Sequence, residues 1–305
     1  MYELRRILVP TDFSKHAEEA LEHAVLLGGR YEPEIVLLHV DEFPVSPLGF
    51  QDLQDEAVRA YQERKAVFLE EQFARMRKGV EGRPVHLIPQ VLRGRAYKVI
   101  VEESEKRDYD LIIMATRGLT HLSSYLIGST AERVVRLSRQ PVLTIQGAPK
   151  HGGKVSSVLC PTDLSPAGNA ALSYALSIAR QYKAVLYLQY ISELEKPETL
   201  EQVLRRVPDL HEHHPLFKDV KYEVIVDRDL EPSNSIIRFA EDRDVGMIVM
   251  STHGRKGLRR VYIGNNTAEV VRQSTRPVLT VSHPFHKRIF THPLTEQRPS
   301  GFTSP

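Results

Sequence analysis

The chain has 305 residues, of which 41% are hydrophobic, enough to bury one large core or two medium ones, and the length favours two. With 41 basic against 39 acidic residues the net charge is only +2, which removes any general electrostatic case for a nucleic-acid or membrane partner. A single cysteine, Cys160, excludes an intramolecular disulfide and fits a reducing compartment; inside an apolar run it reads as a small core residue rather than a nucleophile.

Met1 leads into charged residues and a short apolar run at 7–9, which reads as neither a signal peptide nor a membrane span, so a soluble, cytoplasmic protein is expected. That run is a buried-type strand. It stops at Pro10-Thr11-Asp12-Phe13, after which Ser14 can cap a helix whose apolar face is Ala17, Ala20, Leu21, Ala24, Val25 and Leu27. Gly28 and Gly29 end that helix, and residues 35–40 form a second continuous apolar strand. A long charged segment then runs to Lys78. Leu53, Ala57, Ala60, Tyr61, Val67, Phe68 and Phe73 recur in it among Glu, Arg and Lys, so an amphipathic helix is predicted.

A third strand at 85–92, a turn at Gly94, a helix at 97–106, a fourth strand ending at Ala115 and a fifth at 141–145 complete a β-α-β series. Such a series gives a parallel sheet with right-handed crossovers. Residues 147–156 are a linker by composition. The pattern then restarts, because Pro161-Thr162-Asp163-Leu164-Ser165 copies the first turn and later segments copy the rest. The second copy is shorter between its second and fourth strands, where Pro197, Pro208 and Pro215 interrupt the equivalent of the long helix. The expected organisation is two tandem doubly wound α/β domains at 1–146 and 157–283, followed by a tail at 284–305. Each domain holds a five-stranded, mostly parallel sheet with helices on both faces. The last strand of each copy, apolar and at a sheet edge, needs a partner; the other copy can supply it and make a pseudo-twofold pair.

The chemistry concentrates in Met114-Ala115-Thr116-Arg117-Gly118, continuing to Gly128-Ser129-Thr130. This is a strand end, a glycine-bounded loop and a helix start. Glycines let the backbone approach a ligand, and a helix N-terminus offers unpaired N–H groups, so a phosphate can sit there. Ser129 followed by Glu132 is also a capping box, which a helix start uses without any ligand. Asp12 and Asp163, each directly after a strand, equally read as turn or cap formers. Among other clusters, His211, Glu212, His213 and His214 have metal-ligand chemistry. With no Cys or second His pair at zinc spacing, solvated loop histidines are the preferred reading. No basic and aromatic interleaving of the kind that reads single strands is present.

Pro-Thr-Asp-Phe-Ser after the first strand, Leu-Leu-His-Val ending the second, and the Gly-x9-Gly-Ser loop before the last helix together resemble the universal stress protein family in its tandem form. The resemblance covers both repeats and implies a Rossmann-like layout of the adenine nucleotide hydrolase kind. Its nucleotide-binding branch carries Gly-x2-Gly-x9-Gly-Ser/Thr around ATP phosphates and ribose. The matching positions are Ala115, Gly118, Gly128 and Ser129 in the first repeat, and Ser251, Gly254, Gly264 and Asn265 in the second. One position departs in the first and two in the second. Asn265 keeps a polar head able to cap the helix. Asp12 and Asp163 match the aspartate that faces adenosine, and Val40 and Ile191 the main chain that meets the base.

The candidate contacts implied are Pro10, Thr11, Asp12, Val40, Met114, Ala115, Arg117, Gly118, Gly128, Ser129 and Thr130 in the first repeat. In the second they are Asp163, Ile191, Ser251, His253, Gly254, Gly264 and Asn265. The first site is favoured. The expected function is a stress-response module that binds ATP or a related adenine nucleotide as a regulatory ligand, with Mg²⁺ arriving on the nucleotide. No Walker Gly-Lys-Ser/Thr or loop carboxylate cluster points to fast hydrolysis. The alternatives are a nucleotide-free interaction scaffold with vestigial sites, or a slow adenine-nucleotide hydrolase. A homodimer and further protein partners are compatible with either.

Overall fold

The computed structural model describes residues 4–29, 32–42, 56–117, 128–192, 197–205, 207, 214–252 and 264–282. The first half contains β1 (Arg6–Thr11), α1 (Lys15–Gly28), β2 (Glu34–Asp41), α2 (Glu56–Gly79), β3 (His86–Arg93), α3 (Ala96–Lys106), β4 (Leu111–Ala115), α4 (Ser129–Leu137) and β5 (Val142–Ile145). The second contains β6 (Ser157–Thr162), α5 (Pro166–Tyr182), β7 (Val185–Ser192), α6 (Leu200–Leu204), β8 (Tyr222–Arg228), α7 (Pro232–Asp242), β9 (Met247–Ser251), α8 (Asn265–Gln273) and β10 (Val278–Val281). As the spacing predicts, Ser14 caps α1, its side chain accepting the Ala17 N–H.

The strand order is β3-β2-β1-β4-β5-β10-β9-β6-β7-β8, one continuous ten-stranded sheet. Within each half every pairing is parallel, and the halves join through the antiparallel pair β5·β10. The apolar edge of each repeat is therefore covered by the other. Leu143 lies opposite Leu279, Thr144 Oγ1 donates to the Val278 carbonyl at 3.2 Å, and Thr280 Oγ1 returns the bond to the Val142 carbonyl at 3.1 Å. Reciprocity continues at the helix ends. Gln146 Nε2 donates to the Arg272 carbonyl of α8 at 2.8 Å, and Ser282 Oγ donates to the Ser138 carbonyl behind α4 at 2.9 Å.

On the face carrying α1 and α5 the two halves share one core, in which Leu21, Val25, Leu143, Leu172, Leu176 and Leu279 belong to the same buried cluster. Tyr182 Oη, at the end of α5, donates to the Leu27 carbonyl at the end of α1. The opposite face has a separate core for each half, under α3 and α4 and under α7 and α8. The linker packs onto α1 so closely that a Cβ on Gly153, whose φ is +75°, would lie 2.5 Å from Leu26 Cδ1.

Two expectations about helices need correction. Only the later part of α2 is core: Phe73 and Met76 are buried, whereas Tyr61, Val67 and Phe68 are about half exposed, and Leu53 lies outside the described residues. The reason is length, since 24 residues make a rod of about 36 Å and the eight-residue strand β2 only about 26 Å. The second correction concerns helix starts. The N-cap of α4 is Gly128 and that of α8 is Gly264, neither with a side-chain cap bond, so Ser129 and Asn265 are first helical residues and the predicted capping box is not formed. Gly128 N–H donates to the Thr116 carbonyl at 2.6 Å and Gly264 N–H to the Thr252 carbonyl at 2.8 Å, which fixes each cap one residue earlier.

In the second half, α6 and a 3-10 turn at Pro215–Asp219 replace the long α2, as the prolines suggest. Of the histidine cluster only His214 is described, with Nδ1 3.2 Å from Ser173 Oγ. The proposed tail lies outside the described residues. No described helix is long and apolar enough to cross a membrane.

Leu143→Ala and Leu279→Ala are each expected to cost about 2–5 kcal/mol. Because the two side chains face each other, urea denaturation of the double variant should show a coupling of roughly 0.5 kcal/mol or more. Strictly additive costs would place the leucines in separate cores. His23 on α1 supplies a second test, its Nε2 lying 3.3 Å from the Gly147 carbonyl at the linker. Burial lowers its pKa despite that carbonyl. As pH falls through the ordinary imidazole pKa of about 6.5, the unfolded chain takes up a proton that the folded chain resists, so stability is lost toward acid. The fall in urea midpoint between about pH 7.5 and about pH 5.5 should be smaller in His23→Gln, and an equal fall would clear His23 as its cause.

Candidate functional site

In each half the strand order reverses beside the first strand, and open α/β sheets form a crevice outside the carboxyl ends at such a point. In the first half that crevice is a cavity of about 300 Å³ between β1, β2, β4, α3 and the start of α4. Pro10, Thr11, Asp12, Val40, Met114, Ala115, Arg117, Gly128, Ser129 and Thr130 all line it. Gly118 lies outside the described residues.

Short side chains build the turn that follows β1. Thr11 Oγ1 accepts the Phe13 N–H at 2.9 Å, and Asp12 Oδ1 accepts the Ser14 N–H at 3.0 Å. Phe13 between them takes a left-handed φ of +62°. The second repeat reproduces each feature: Thr162 and Asp163 accept from Leu164 and Ser165 at 3.0 and 2.9 Å, and Leu164 has φ +58°. The turn-forming role of both aspartates is thus real, and it places Asp12 at the cleft's wall. His39 braces the turn by stacking on Phe13 and hydrogen-bonding the Thr11 carbonyl through Nδ1, which must carry the proton.

At the other end of the cleft, Gly128 has φ −62° and ψ 137°, ordinary extended backbone. What glycine contributes there is the lack of a side chain, not a special conformation. With no side-chain cap, the first-turn N–H groups of α4 face the cavity with the positive end of the helix dipole behind them. Arg117 lines the same end, its Nη2 3.1 Å from Gln146 Oε1. Ala115 has no positive φ, so a methyl in place of glycine is accommodated. The departure does not strain the backbone.

The wall from α3, Ala96 and Ile100, and the floor residue Leu38 escaped sequence reasoning, because apolar residues at core spacing carry no chemical signal. The parallel order that sets α3 against β2 was the one pointer to them. Glu42 was also missed; its carboxylate accepts the Ala96 N–H and so ties the end of β2 to the start of α3.

In the second half, Gly264 repeats the geometry of Gly128 with φ −60° and ψ 141°. Asp163, Ile191, Ser251 and Asn265 hold the corresponding places at strand ends and helix start. His253 and Gly254 lie outside the described residues. Thr267, which takes the place of Ala131, donates through Oγ1 to the Ser251 carbonyl at 2.9 Å. Because the halves meet through an antiparallel pair, the two carboxyl ends point in opposite directions, and so do the two crevices. Cys160 is fully buried on β6 and burial pushes its thiol up to about 12, consistent with a core residue and no nucleophile.

The model of the universal stress protein family matches residues 3–146 and 154–282. The chain belongs to that family. Among its relatives, universal stress protein Slr1230 of Synechocystis is 24% identical over 306 residues, covering 91% of this chain and 99% of that protein. Universal stress protein MJ0577 of Methanocaldococcus jannaschii is 32% identical over 153 residues, covering 47% of this chain and 94% of the relative. A universal stress protein structure from Archaeoglobus fulgidus matches with a TM-score of 0.68 at 22% identity, covering 92% of this chain and 97% of the other. The tandem arrangement thus has a solved counterpart.

A Cβ on Gly264 would meet the Thr252 carbonyl at 3.5 Å and Thr267 Oγ1 at 3.9 Å, both ordinary contacts. Gly264→Ala in this universal stress protein is therefore expected to stay within about 0.5 kcal/mol of the parent in urea denaturation. A much larger loss would mean that glycine serves the fold there and not the crevice.

Proposed function

We propose that this universal stress protein binds ATP, or a related adenine nucleotide, in the first-repeat cleft as a regulatory ligand. The observation that carries the reading is the start of α4. Its first-turn N–H groups have no side-chain cap, it begins at a side-chain-free Gly128, and it closes one end of a cavity of about 300 Å³. Phosphates fit at that end, against the backbone of Ser129 and Thr130 and within reach of Arg117. The base fits at the apolar end among Leu38, Val40 and Ile100. A bound Mg²⁺ would neutralise phosphate charge there.

The regulatory role, as opposed to turnover, is supported by what the cleft carboxylates do. Asp12 and Glu42 both accept backbone N–H groups and hold the cleft's walls. The setting we propose is the cytoplasm, in line with the lone buried cysteine. The departures at Ala115, Ser251 and Asn265 favour a second reading, an interaction scaffold with vestigial sites.

Denaturing freshly purified protein and counting released adenine nucleotide by mass spectrometry and absorbance should give about one equivalent per chain or more. Gly128→Val puts a branched side chain where phosphates approach and should weaken ATP binding at this cleft by at least about 100-fold in calorimetry, with the circular dichroism spectrum kept. Absence of released nucleotide together with a flat ATP titration of the parent would leave the scaffold reading. Unchanged affinity in Gly128→Val would move the site away from the first repeat.

A further inference from the structure

Gln146 directly follows β5, and its carboxamide joins a cation at one half's cleft to a helix end of the other half. The register of β4 and β5 pairs Ala115 with Ile145, and the Thr116 N–H donates to the Ile145 carbonyl at 3.0 Å, which brings Arg117 beside Gln146 where both leave the sheet. Arg117 Nη2 donates to Gln146 Oε1 at 3.1 Å. On its other side, Gln146 Nε2 donates to the Arg272 carbonyl at 2.8 Å and approaches the Val271 carbonyl at 3.5 Å, both in the last turn of α8. The last carbonyls of a helix have no partner within it, so the end of α8 is a firm seat for the amide.

The chemistry of this brace matters. A carboxylate beside Arg117 would take up its positive charge, whereas a carboxamide orients the guanidinium and leaves the charge for an anion. The bond to Gln146 occupies one of the five N–H donors of the guanidinium. An arginine that closes on a ligand loses much rotamer freedom, and one already held in place loses less. The second repeat does not copy the arrangement. Ser251 pairs with Val281, so Ser282 takes the place of Gln146, and its hydroxyl donates to the Ser138 carbonyl behind α4 at 2.9 Å. A hydroxyl has donor and acceptor on one atom, while the carboxamide sets them apart and can bridge.

We infer that Gln146 is a positioning residue of the first cleft: through it the last turn of α8, in the second repeat, holds the Arg117 guanidinium in place for the phosphates of the nucleotide. The inference rests on the adenine-nucleotide reading of the preceding subsection and adds what that reading lacks, a dependence of the first cleft on the other repeat. The phosphate end of one site is completed from across the seam.

The test is calorimetry on the full chain, with ATP and with adenosine, at the site that Gly128→Val closes. Gln146→Leu keeps the bulk and removes both ends of the brace; it should weaken ATP about fivefold and leave adenosine, which has no phosphate, within about twofold. Arg117→Ala should weaken ATP about tenfold. Adding Gln146→Leu to Arg117→Ala should then change ATP affinity by less than about twofold, because the group that Gln146 acts through is gone. Gln146→Asn keeps the amide but is one carbon too short to span both partners, so it should match Gln146→Leu and carries the comparison if leucine unfolds the seam. Unchanged ATP affinity in the Gln146 variants would overturn the inference. So would an equal loss for ATP and adenosine, the mark of a packing role, or a loss that persists in full on the Arg117→Ala chain. If the parent binds ATP and Gly128→Val abolishes it while Gln146 changes nothing, the inference alone falls. A parent chain that binds no ATP removes both.

Discussion

The antiparallel contact between β5 and β10 is four residues long on each side, yet the remaining architecture is arranged around it. Without it each repeat would present an apolar edge to water, the situation in which strands recruit other chains. With it, α1 and α5 share a core across the seam and each half closes the last turn of the other's site helix, through Gln146 and Ser282. The sheet becomes a frame with two opposed ends. Each end carries a Pro-Thr-Asp turn and an uncapped helix start.

Those helix starts explain how function and stability are separated here. A capping side chain would satisfy the first-turn N–H groups and steady the helix at the same time. Glycine at the cap leaves the donors open, and the fold compensates by anchoring the glycine itself, through the Thr116 carbonyl in one half and the Thr252 carbonyl in the other. The helices are held in place by their apolar faces, Ala131, Val134 and Val135 in one and Val270 and Val271 in the other. Their termini remain available to a ligand.

The repeat, the parallel strand order and the unpaired edges could all be read from the sequence, because continuous apolar runs and the recurrence of Pro-Thr-Asp report backbone arrangement directly. The cap of α1 was legible as well, since Ser14 sits immediately before the apolar period. At Ser129 the same logic chose the wrong residue. The deciding contact comes from Thr116, across a loop, and no local pattern encodes it. The extent of the α2 stripe was overread for a similar reason: periodicity shows which face of a helix is apolar, not where the sheet beneath it ends.

The linker through Lys150–Gly153, laid tightly on α1, makes the pairing of the halves a property of a single molecule. Two separate copies joined edge to edge would come apart on dilution and would have to carry every substitution twice. A tethered pair has an effective concentration set by its linker, so it does not dissociate as the protein becomes scarce. It is also released from the need for identity. Leu38 stands opposite Pro10 in one half and the buried Gln189 opposite Pro161 in the other, so the two ends need not stay alike.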